Sequence, residues 1–132
     1  MNIVIDTNII VSAILSPKGN SYKIINLIGN DESVKVYYST GILAEYKRVL
    51  AYKRLNISVE TQTDILDAIR KFGVMIEPAA STMPLRDETD RIFYDTARAS
   101  DAILITGNIK HFPDEPFIML PAYFVMNLIC VL

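Results

Sequence analysis

The sequence predicts an α/β protein, a three-layer sandwich whose central sheet is mainly parallel and roughly five-stranded. Short apolar runs rich in β-branched residues, typical of strands buried on both faces, alternate with segments whose apolar residues recur at helical spacing. In addition, 51% of the 132 residues are apolar, and no linker or internal repeat interrupts them. We therefore expect one domain spanning residues 1–132.

The first half of the chain predicts two strands and three helices. Ile3-Val4-Ile5 is an apolar run that stops at a polar residue, as a buried first strand does. Apolar residues at helical spacing then predict short helices near residues 9–14 and 24–28, separated by a Ser-Pro-Lys-Gly-Asn break. The next expected elements are a strand over 34–38 and a helix over 41–51 with Ser39 or Thr40 as its N-cap.

The second half continues the alternation. Helical periodicity resumes after Ser58 and ends at Gly73, a residue type common at helix ends. Asp87 is expected to cap a further helix that contains Ile92 and Phe93. The remaining expected elements are strands over 74–76, 102–106 and 117–120 and a last helix with Pro121 in its first turn.

Composition excludes several classes of protein. The formal net charge is −2, from 13 basic and 15 acidic side chains, which argues against a dedicated nucleic-acid-binding module with a strongly basic surface. One cysteine cannot form an internal disulfide framework, and the amino terminus shows no signal-peptide pattern. Pro121 and Asn127 interrupt the longest uncharged run, so no membrane span is expected. We expect a cytoplasmic protein, and a nucleic-acid enzyme stays open.

Two carboxylates stand at unusual positions in the first half. Asp6 directly follows the first strand, and ligands of such sheets bind beyond the carboxyl ends of the strands; an N-cap role is the alternative. Glu45 shares a helix face with Ile42 and Val49, which embeds a carboxylate in a core-facing stripe. The alternative for Glu45 is an exposed edge of that stripe or an ion pair, although spacing argues against its immediate basic neighbours.

The second acidic segment repeats this feature. Asp87 resembles a cap, and Asp90 occupies an early helical position that favours an acid; yet Asp90 also shares a face with Phe93, while Asp95 shares one with Ile92. Carboxylates that converge on one edge raise one another's pKa unless a cation neutralises them, and Mg²⁺ or Mn²⁺ prefers oxygen ligands. Such a site favours metal-assisted hydrolysis of nucleic acid, with no Cys or His nucleophile.

Four parts of the chain together resemble the PIN-domain family: Ile3-Val4-Ile5-Asp6-Thr7-Asn8, Glu45, Asp90 followed by Phe93 and Ala97, and Ser100 to Asn108. The resemblance extends to the single-domain group of bacterial and archaeal toxin components, in which Thr-Gly-Asn-x-x-His-Phe-Pro endings like residues 106–113 occur. It implies a sheet with a central first strand and a metal-dependent ribonuclease site. The catalytic and metal-binding acids of that site would be Asp6, Glu45 and Asp90.

One residue departs from the family pattern. Many members carry an aspartate where this chain has Asn108, an uncharged ligand, so the site is expected to bind its ion more weakly or to hold one ion rather than two. Asp95 is a better candidate to compensate than Asp101, which precedes the fourth strand. Side chains expected to orient the ligands through hydrogen bonds, with capping as the alternative, are Thr7, Asn8, Ser39 and Asp87.

Residues around the proposed cleft bear on its partners. Basic side chains near both acidic segments are expected to be either solvated faces or contacts for RNA phosphates. His111 is a lone loop histidine and is left outside the expected site. The apolar segment 117–128 exceeds what one short helix needs to bury, which predicts a surface for a homodimer or higher oligomer, or a groove for an antitoxin protein.

These observations lead to one main hypothesis and two alternatives. The main hypothesis is a cytoplasmic Mg²⁺- or Mn²⁺-dependent endoribonuclease, the toxin of a toxin-antitoxin pair. The first alternative is a catalytically weak or inactive PIN-like module that binds RNA or protein, which the missing fourth carboxylate favours. The second is a phospho-acceptor receiver or phosphohydrolase on a similar sheet. Asn8 stands where a phosphohydrolase needs a second aspartate, and Glu77-Pro78 where a receiver needs one.

Overall fold

The computed structural model describes residues 1–129, and their central feature is a five-stranded parallel sheet in the order β3-β2-β1-β4-β5. All four strand pairings are parallel. The α/β fold with a central, five-stranded parallel sheet is therefore confirmed. The strands are β1 (Asn2–Ile5), β2 (Lys35–Tyr38), β3 (Val74–Met75), β4 (Ile103–Ile105) and β5 (Ile118–Met119).

The described residues form six α-helices, of which five lie between strands and one follows β5. They are α1 (Thr7–Leu15), α2 (Asn20–Ile25), α3 (Thr40–Leu50), α4 (Val59–Phe72), α5 (Arg91–Ser100) and α6 (Pro121–Phe124). Helix α2 contacts both α1 and α6, and helix α3 contacts α1, α4 and α5. Helix α5 also packs on β1, β2 and β4. The core lies between these helices and the sheet.

Strand β1 lies at the centre because its residues can be buried on every side. Ile3, Val4 and Ile5 have no solvent exposure, and each pairs in register with a residue of β4. The chain leaves β1 toward β2 on one side, whereas β4 lies on the other. The boundary between β1 and β4 is thus the point where the strand order reverses, which in open α/β sheets is where ligands bind.

Helix starts follow the predicted capping residues. The Ser39 hydroxyl accepts a hydrogen bond from the Ile42 amide at 3.2 Å, and the Ser58 hydroxyl accepts one from the Thr61 amide at 3.1 Å. Asp87 caps a 3₁₀ turn, Glu88–Asp90, that leads into α5. Asp90 is therefore the residue before α5 and not an early position within it, a shift that turns its carboxylate toward the sheet edge.

Glycines at helix ends usually adopt a left-handed conformation, but Gly73 at the end of α4 does not. Its φ of −87° is available to any residue, so no left-handed cap is formed. A Cβ at this position would lie 2.4 Å from the Ile69 carbonyl oxygen and 2.9 Å from the Tyr38 ring. Glycine is needed because the chain passes too close to α4 and β2 for any side chain.

The carboxyl-terminal segment begins with Pro121 in the first turn of α6, as predicted, and continues as a π-helical turn, Val125–Ile129. Cys130 lies outside the described residues. None of the helices within residues 1–129 has the length and apolar character that crossing a membrane requires.

Candidate functional site

A cleft opens at the carboxyl ends of β1 and β4, where the strand order reverses. It has a volume of about 400 Å³. Its lining combines four carboxylates, two asparagines, a histidine and two arginines with a few apolar side chains. The residues that line it are Asp6, Thr7, Asn8, Val11, Glu45, Arg48, Val49, Tyr52, Arg54, Leu55, Asp87, Thr89, Asp90, Asn108 and His111.

Asp6 is the most buried of these acids, with 7% of its surface exposed. The Thr7 amide donates to its Oδ1 at 2.8 Å, so Asp6 also caps α1, and the Thr106 hydroxyl donates to its Oδ2 at 2.7 Å. Burial raises the pKa of Asp6, the nearby Glu45 carboxylate raises it further, and the two hydrogen bonds lower it. Capping and site chemistry are thus combined in one side chain.

Glu45 reaches the same cleft from α3. The Thr7 hydroxyl donates to its Oε2, which links the start of α1 to the middle of α3. The following residue, Tyr46, is fully buried and donates its hydroxyl to the carbonyl of Ile5, which fixes α3 against β1. Arg48 Nη2 lies 3.9 Å from Glu45 Oε1, a long ion pair on a largely exposed arginine. Such a contact contributes little, as the spacing predicted.

Asp90 enters the cleft from the 3₁₀ turn that precedes α5. Its Oδ2 is buried and has no hydrogen-bond partner; His111 Nδ1, 3.6 Å away, is too distant for one. Burial and the neighbouring carboxylates of Asp6, Asp87 and Glu45 raise its pKa to about 6, although His111 opposes the shift. Asp87, by contrast, is exposed, and hydrogen bonds from Thr89 hold its pKa below the usual range.

The loop after β4 completes the cleft. Asn108 lines it, and the Asn108 amide donates to the Thr106 hydroxyl at 3.0 Å. Asn8 Oδ1 accepts from the Gly107 amide at 3.3 Å, which ties this loop to the start of α1. Thr106 therefore accepts from the loop and donates to Asp6, so it couples the backbone of the loop to the carboxylate.

Three of the sequence candidates do not reach the cleft. Asp95 is five residues beyond Asp90 and points elsewhere; its Oδ2 accepts from the Ser81 amide at 3.0 Å, beside a larger cleft of about 640 Å³ under the 78–84 loop. The expectation that Asp95 would compensate for Asn108 is not supported by this geometry. Ser39 is buried as the cap of α3, and Asp101 is exposed at the other end of β4, in the left-handed region at φ 51°.

The donor set of the cleft fits a hard divalent cation, because all its candidate ligands are oxygen atoms and Asp90 Oδ2 is buried without a partner. Burial, and after it the repulsion of neighbouring carboxylates, raises the pKa of Asp6 and of Asp90, and such a cation would offset both effects. Across residues 1–129, however, no three Asp, Glu, His or Cys side chains stand close enough together to form a ready metal site. Asp6, Glu45 and Asp90 share the cleft without meeting at one point.

Sequence reasoning did not include several residues that line or support the cleft. Thr106 could have been found, because it ends β4 and the carboxyl ends of neighbouring parallel strands lie together. His111 was considered and left out. From the sequence, Tyr52 is expected to pack in the core or at the rim, with base stacking as the alternative. Arg48 and Arg54 belong to the basic side chains expected to be either solvated or in contact with RNA phosphates. No periodic signal in the sequence points these three side chains into the cleft.

The fold and the cleft define the class: an α/β domain with a parallel sheet and an acidic cleft at the point where its strand order reverses. The chain belongs to the PIN-domain family, whose model matches residues 2–110. It is 36% identical over 111 residues to the uncharacterized protein MJ1680 of Methanocaldococcus jannaschii. The match covers 82% of this chain and 71% of that protein.

A solved structure shares the fold. It is a chain of the crystal structure of VapBC2 from Rickettsia felis bound to a DNA fragment from their promoter. The TM-score is 0.60 with 22% sequence identity, and the match covers 91% of this chain and 97% of that one.

Proposed function

We propose that this protein is a metal-dependent endoribonuclease that hydrolyses RNA phosphodiester bonds with Mg²⁺ or Mn²⁺. The observation that carries the proposal is the position of Asp6, Glu45 and Asp90 in one cleft at the sheet edge, with Asp90 Oδ2 buried and unpartnered. Membership of the PIN-domain family supports it, since PIN domains are generally nucleases. Residues 1–132 would form the single nuclease domain.

Asp6, Glu45, Asp90 and Asn108 would hold the ion. When bound, a cation of this kind polarises the phosphodiester and makes water acidic enough to attack at neutral pH. The chain's own contribution is orientation: Thr7 donates to both Asp6 and Glu45, and Thr106 donates to the second oxygen of Asp6. Hydrogen bonds of this kind limit the rotation of ligating carboxylates and so help to orient them toward an ion.

The carboxyl group of Asp90 is expected to exchange its proton near neutral pH. The pKa of Asp90 is about 6, so Oδ2 loses its proton just below the pH of a cell. His111 Nδ1 lies 3.6 Å from that same oxygen, at the edge of the cleft. The site is therefore expected to become competent for metal as pH rises through about 6.

The test compares Asp90, which precedes α5, with Asp95, which lies within α5. Purified protein is incubated with single-stranded and structured RNA, with Mn²⁺ or with chelator. We expect Asp90→Asn to lose activity by more than about 100-fold, since even partners outside the first coordination shell cost about 10–100-fold. Asp95→Asn, which keeps an oxygen for the Ser81 amide, serves as the matched control and should cleave normally. Cleavage that persists in chelator or in Asp90→Asn would refute the mechanism.

We also propose that the protein is the toxin of a toxin-antitoxin pair, is located in the cytoplasm, and forms a homodimer or higher oligomer. The fold it shares with the VapBC2 structure supports this, and so do the exposed Leu120, Tyr123 and Met126 near the carboxyl terminus. Coexpression with the product of a small adjacent reading frame should suppress the ribonuclease. Light scattering should give at least twice the 14.8 kDa mass of the chain.

A second candidate is a catalytically weak or inactive module that binds RNA or protein. It is favoured by Asn108 in place of a carboxylate and by the lack, within the described residues, of a ready three-ligand metal site. This candidate predicts RNA binding with no cleavage on any substrate and no metal binding by calorimetry. Asn108→Asp separates the two cases, because restoring the charge should raise metal affinity in an active site and change nothing in an inactive one.

A further inference from the structure

Two arginines occupy one wall of the cleft. Arg48 lies near the end of α3, and Arg54 lies in the 3₁₀ turn Lys53–Leu55 that follows. They are the lysine and arginine side chains that line this cleft, whose other lining includes four carboxylates. Among residues 1–129, Arg54 has no ion pair within 4.0 Å, and the only ion pair of Arg48 is the long one to Glu45.

Both guanidinium groups are gathered on one aromatic ring. The Arg48 Cζ lies 5.8 Å from the centroid of the Tyr52 ring, and the Arg54 Cζ lies 5.3 Å from it. Arg48 Nη1 also donates to the Tyr52 hydroxyl. Two like charges repel, and the attraction of the ring and of the hydroxyl offsets that repulsion. Tyr52 thus keeps both guanidinium groups within 6 Å of one ring, at the cleft that both arginines line.

An apolar strip accompanies this pair. Val11, Val49 and Leu55 line the same cleft and are each partly exposed. Apolar side chains beside a cationic pair suit a ligand that has an anionic group and a flat apolar face. A nucleotide has both, provided that its base is not already paired and stacked in a duplex.

We propose that Arg48, Tyr52 and Arg54 form a subsite for a backbone phosphate of single-stranded RNA, next to the phosphate that is cut, with Tyr52 as the positioning residue. This inference rests on the proposed ribonuclease function. A phosphodiester carries one negative charge and presents two oxygens to the planar forks of the arginines. The adjacent base would lie on the strip formed by Val11, Val49 and Leu55.

The subsite is tested by binding measured without cleavage. Fluorescence anisotropy of a labelled single-stranded RNA is followed in Mn²⁺ with the Asp90→Asn protein as the background. Arg48→Ala and Arg54→Ala should each raise Kd about tenfold, as expected for a hydrogen bond to a charged group. Each should also reduce the slope of log Kd against log salt concentration by about 0.7. The matched controls are Lys47→Ala and Lys53→Ala, which remove the same charge from neighbouring exposed residues outside the cleft, and they should change Kd less than twofold.

Tyr52 variants separate positioning from charge. Tyr52→Leu removes the ring and the hydroxyl but no charge, and it should weaken binding about as much as one arginine variant. Tyr52→Phe keeps the ring and should retain most of the affinity. Thermal melting of each variant establishes that it is folded. A duplex of the same sequence should bind more weakly to the background protein and should lose little when Arg54 is replaced.

The outcomes distinguish this inference from the proposed function. If the wild type cleaves RNA and the arginine variants bind and cleave normally, the subsite is wrong and the ribonuclease stands. Equal losses in the lysine and arginine variants would also overturn it, because they would reflect overall charge alone. If the wild type neither binds nor cleaves RNA, the proposed function fails and the subsite fails with it.

Discussion

At the scale of single residues, hydroxyl groups organise the candidate site as much as carboxylates do. Thr7 contacts Asp6 with its amide and Glu45 with its hydroxyl, and Thr106 contacts Asp6 and the loop that contains Asn108. These threonines satisfy carboxylate oxygens that burial would otherwise leave without partners. Their substitution is therefore expected to affect both stability and metal affinity.

Thr106→Val removes the hydroxyl that bonds Asp6 while it keeps the side-chain shape. We expect the free energy of unfolding to fall by about 1–3 kcal/mol, because a buried carboxylate oxygen and the Asn108 amide lose a partner. Mn²⁺ affinity should fall about tenfold. Urea unfolding and calorimetric titration measure the two effects.

Thr96→Val is the matched control, since the Thr96 hydroxyl is buried and has no partner. Its replacement should be neutral or stabilising. Equal costs for the two variants would show that the hydroxyl of Thr106 is not what matters.

The raised pKa of Asp90 means that the ionised form of this residue lowers the free energy of unfolding at neutral pH. Below the ordinary pKa of 3.8 the carboxyl is neutral in both states; as pH rises through about 6 the folded protein must hold a poorly solvated charge, so stability is lost. In chelator, Asp90→Asn should therefore melt at a higher temperature than the wild type at pH 7–8. The gain should vanish below about pH 4.

Asp87, three residues before Asp90, has a lowered pKa, so Asp87→Asn should have the opposite effect on stability. Hydrogen bonds from Thr89 favour the charged form of Asp87, so its contribution to stability is present at neutral pH and is lost as pH falls. This variant should bring no gain in melting temperature at pH 7–8. A gain as large as that of Asp90→Asn would show that general charge reduction explains both results.

At the scale of elements, the site depends on how the ends of helices and strands are fixed. Arg91 and Asp95 lie one turn apart on α5 and both bind the loop before it. Arg91 donates to the carbonyls of Ser81 and Met83 at 2.8 Å and pairs with Glu88, and Asp95 accepts from the Ser81 amide. These contacts hold the loop that leads to Asp87 and Asp90. Asp95, which the sequence analysis considered as a further metal ligand, therefore anchors this loop instead.

The junction of α4 and β3 is a close approach that tolerates no side chain. Gly73→Ala would place a Cβ 2.4 Å from the Ile69 carbonyl oxygen, so we expect a loss of about 1–3 kcal/mol in the free energy of unfolding. Denaturant titration measures this loss.

Gly41→Ala is the contrasting substitution, since Gly41 is helical and its nearest contact would be an ordinary 3.6 Å to Ile92. It should stabilise the protein by up to about 1 kcal/mol. If Gly73→Ala cost no more stability than Gly41→Ala, the close packing of Gly73 against the Ile69 carbonyl would be contradicted.

At the scale of the whole molecule, a cation in the cleft would link stability to pH. Free Mn²⁺ at about 100 times its Kd should stabilise the folded protein by about 2.7 kcal/mol at pH 7.5. The increase in melting temperature should shrink toward pH 5, because protons then compete for Asp90. Absence of any shift with Mn²⁺ at pH 7.5 would contradict the proposed metal site.

Much of the fold could be predicted because it is encoded locally. The apolar runs at Ile3–Ile5 and Ile103–Ile105 and the caps at Ser39 and Ser58 each report on their own neighbourhood, and the structure has them within a residue or two of the predicted positions. Two-residue strands such as Val74–Met75 carry too little pattern to fix their limits. The parallel direction of the strands followed from the alternation of strands and helices, and the central position of β1 followed from the resemblance to the PIN-domain family.

The sequence by itself indicated an α/β chain with acids at a strand end and on helix faces, because local periodicity sets those positions. The resemblance of its motifs to the PIN-domain family then singled out Asp6, Glu45 and Asp90. Only the tertiary structure decided which other side chains join them. It brought in Thr106, His111 and the Arg48, Tyr52 and Arg54 group and sent Asp95 to the 78–84 loop. The physical reason is that the cleft is assembled from segments as much as 100 residues apart, and the direction of a side chain at a helix end depends on a turn of a few residues that periodicity does not fix.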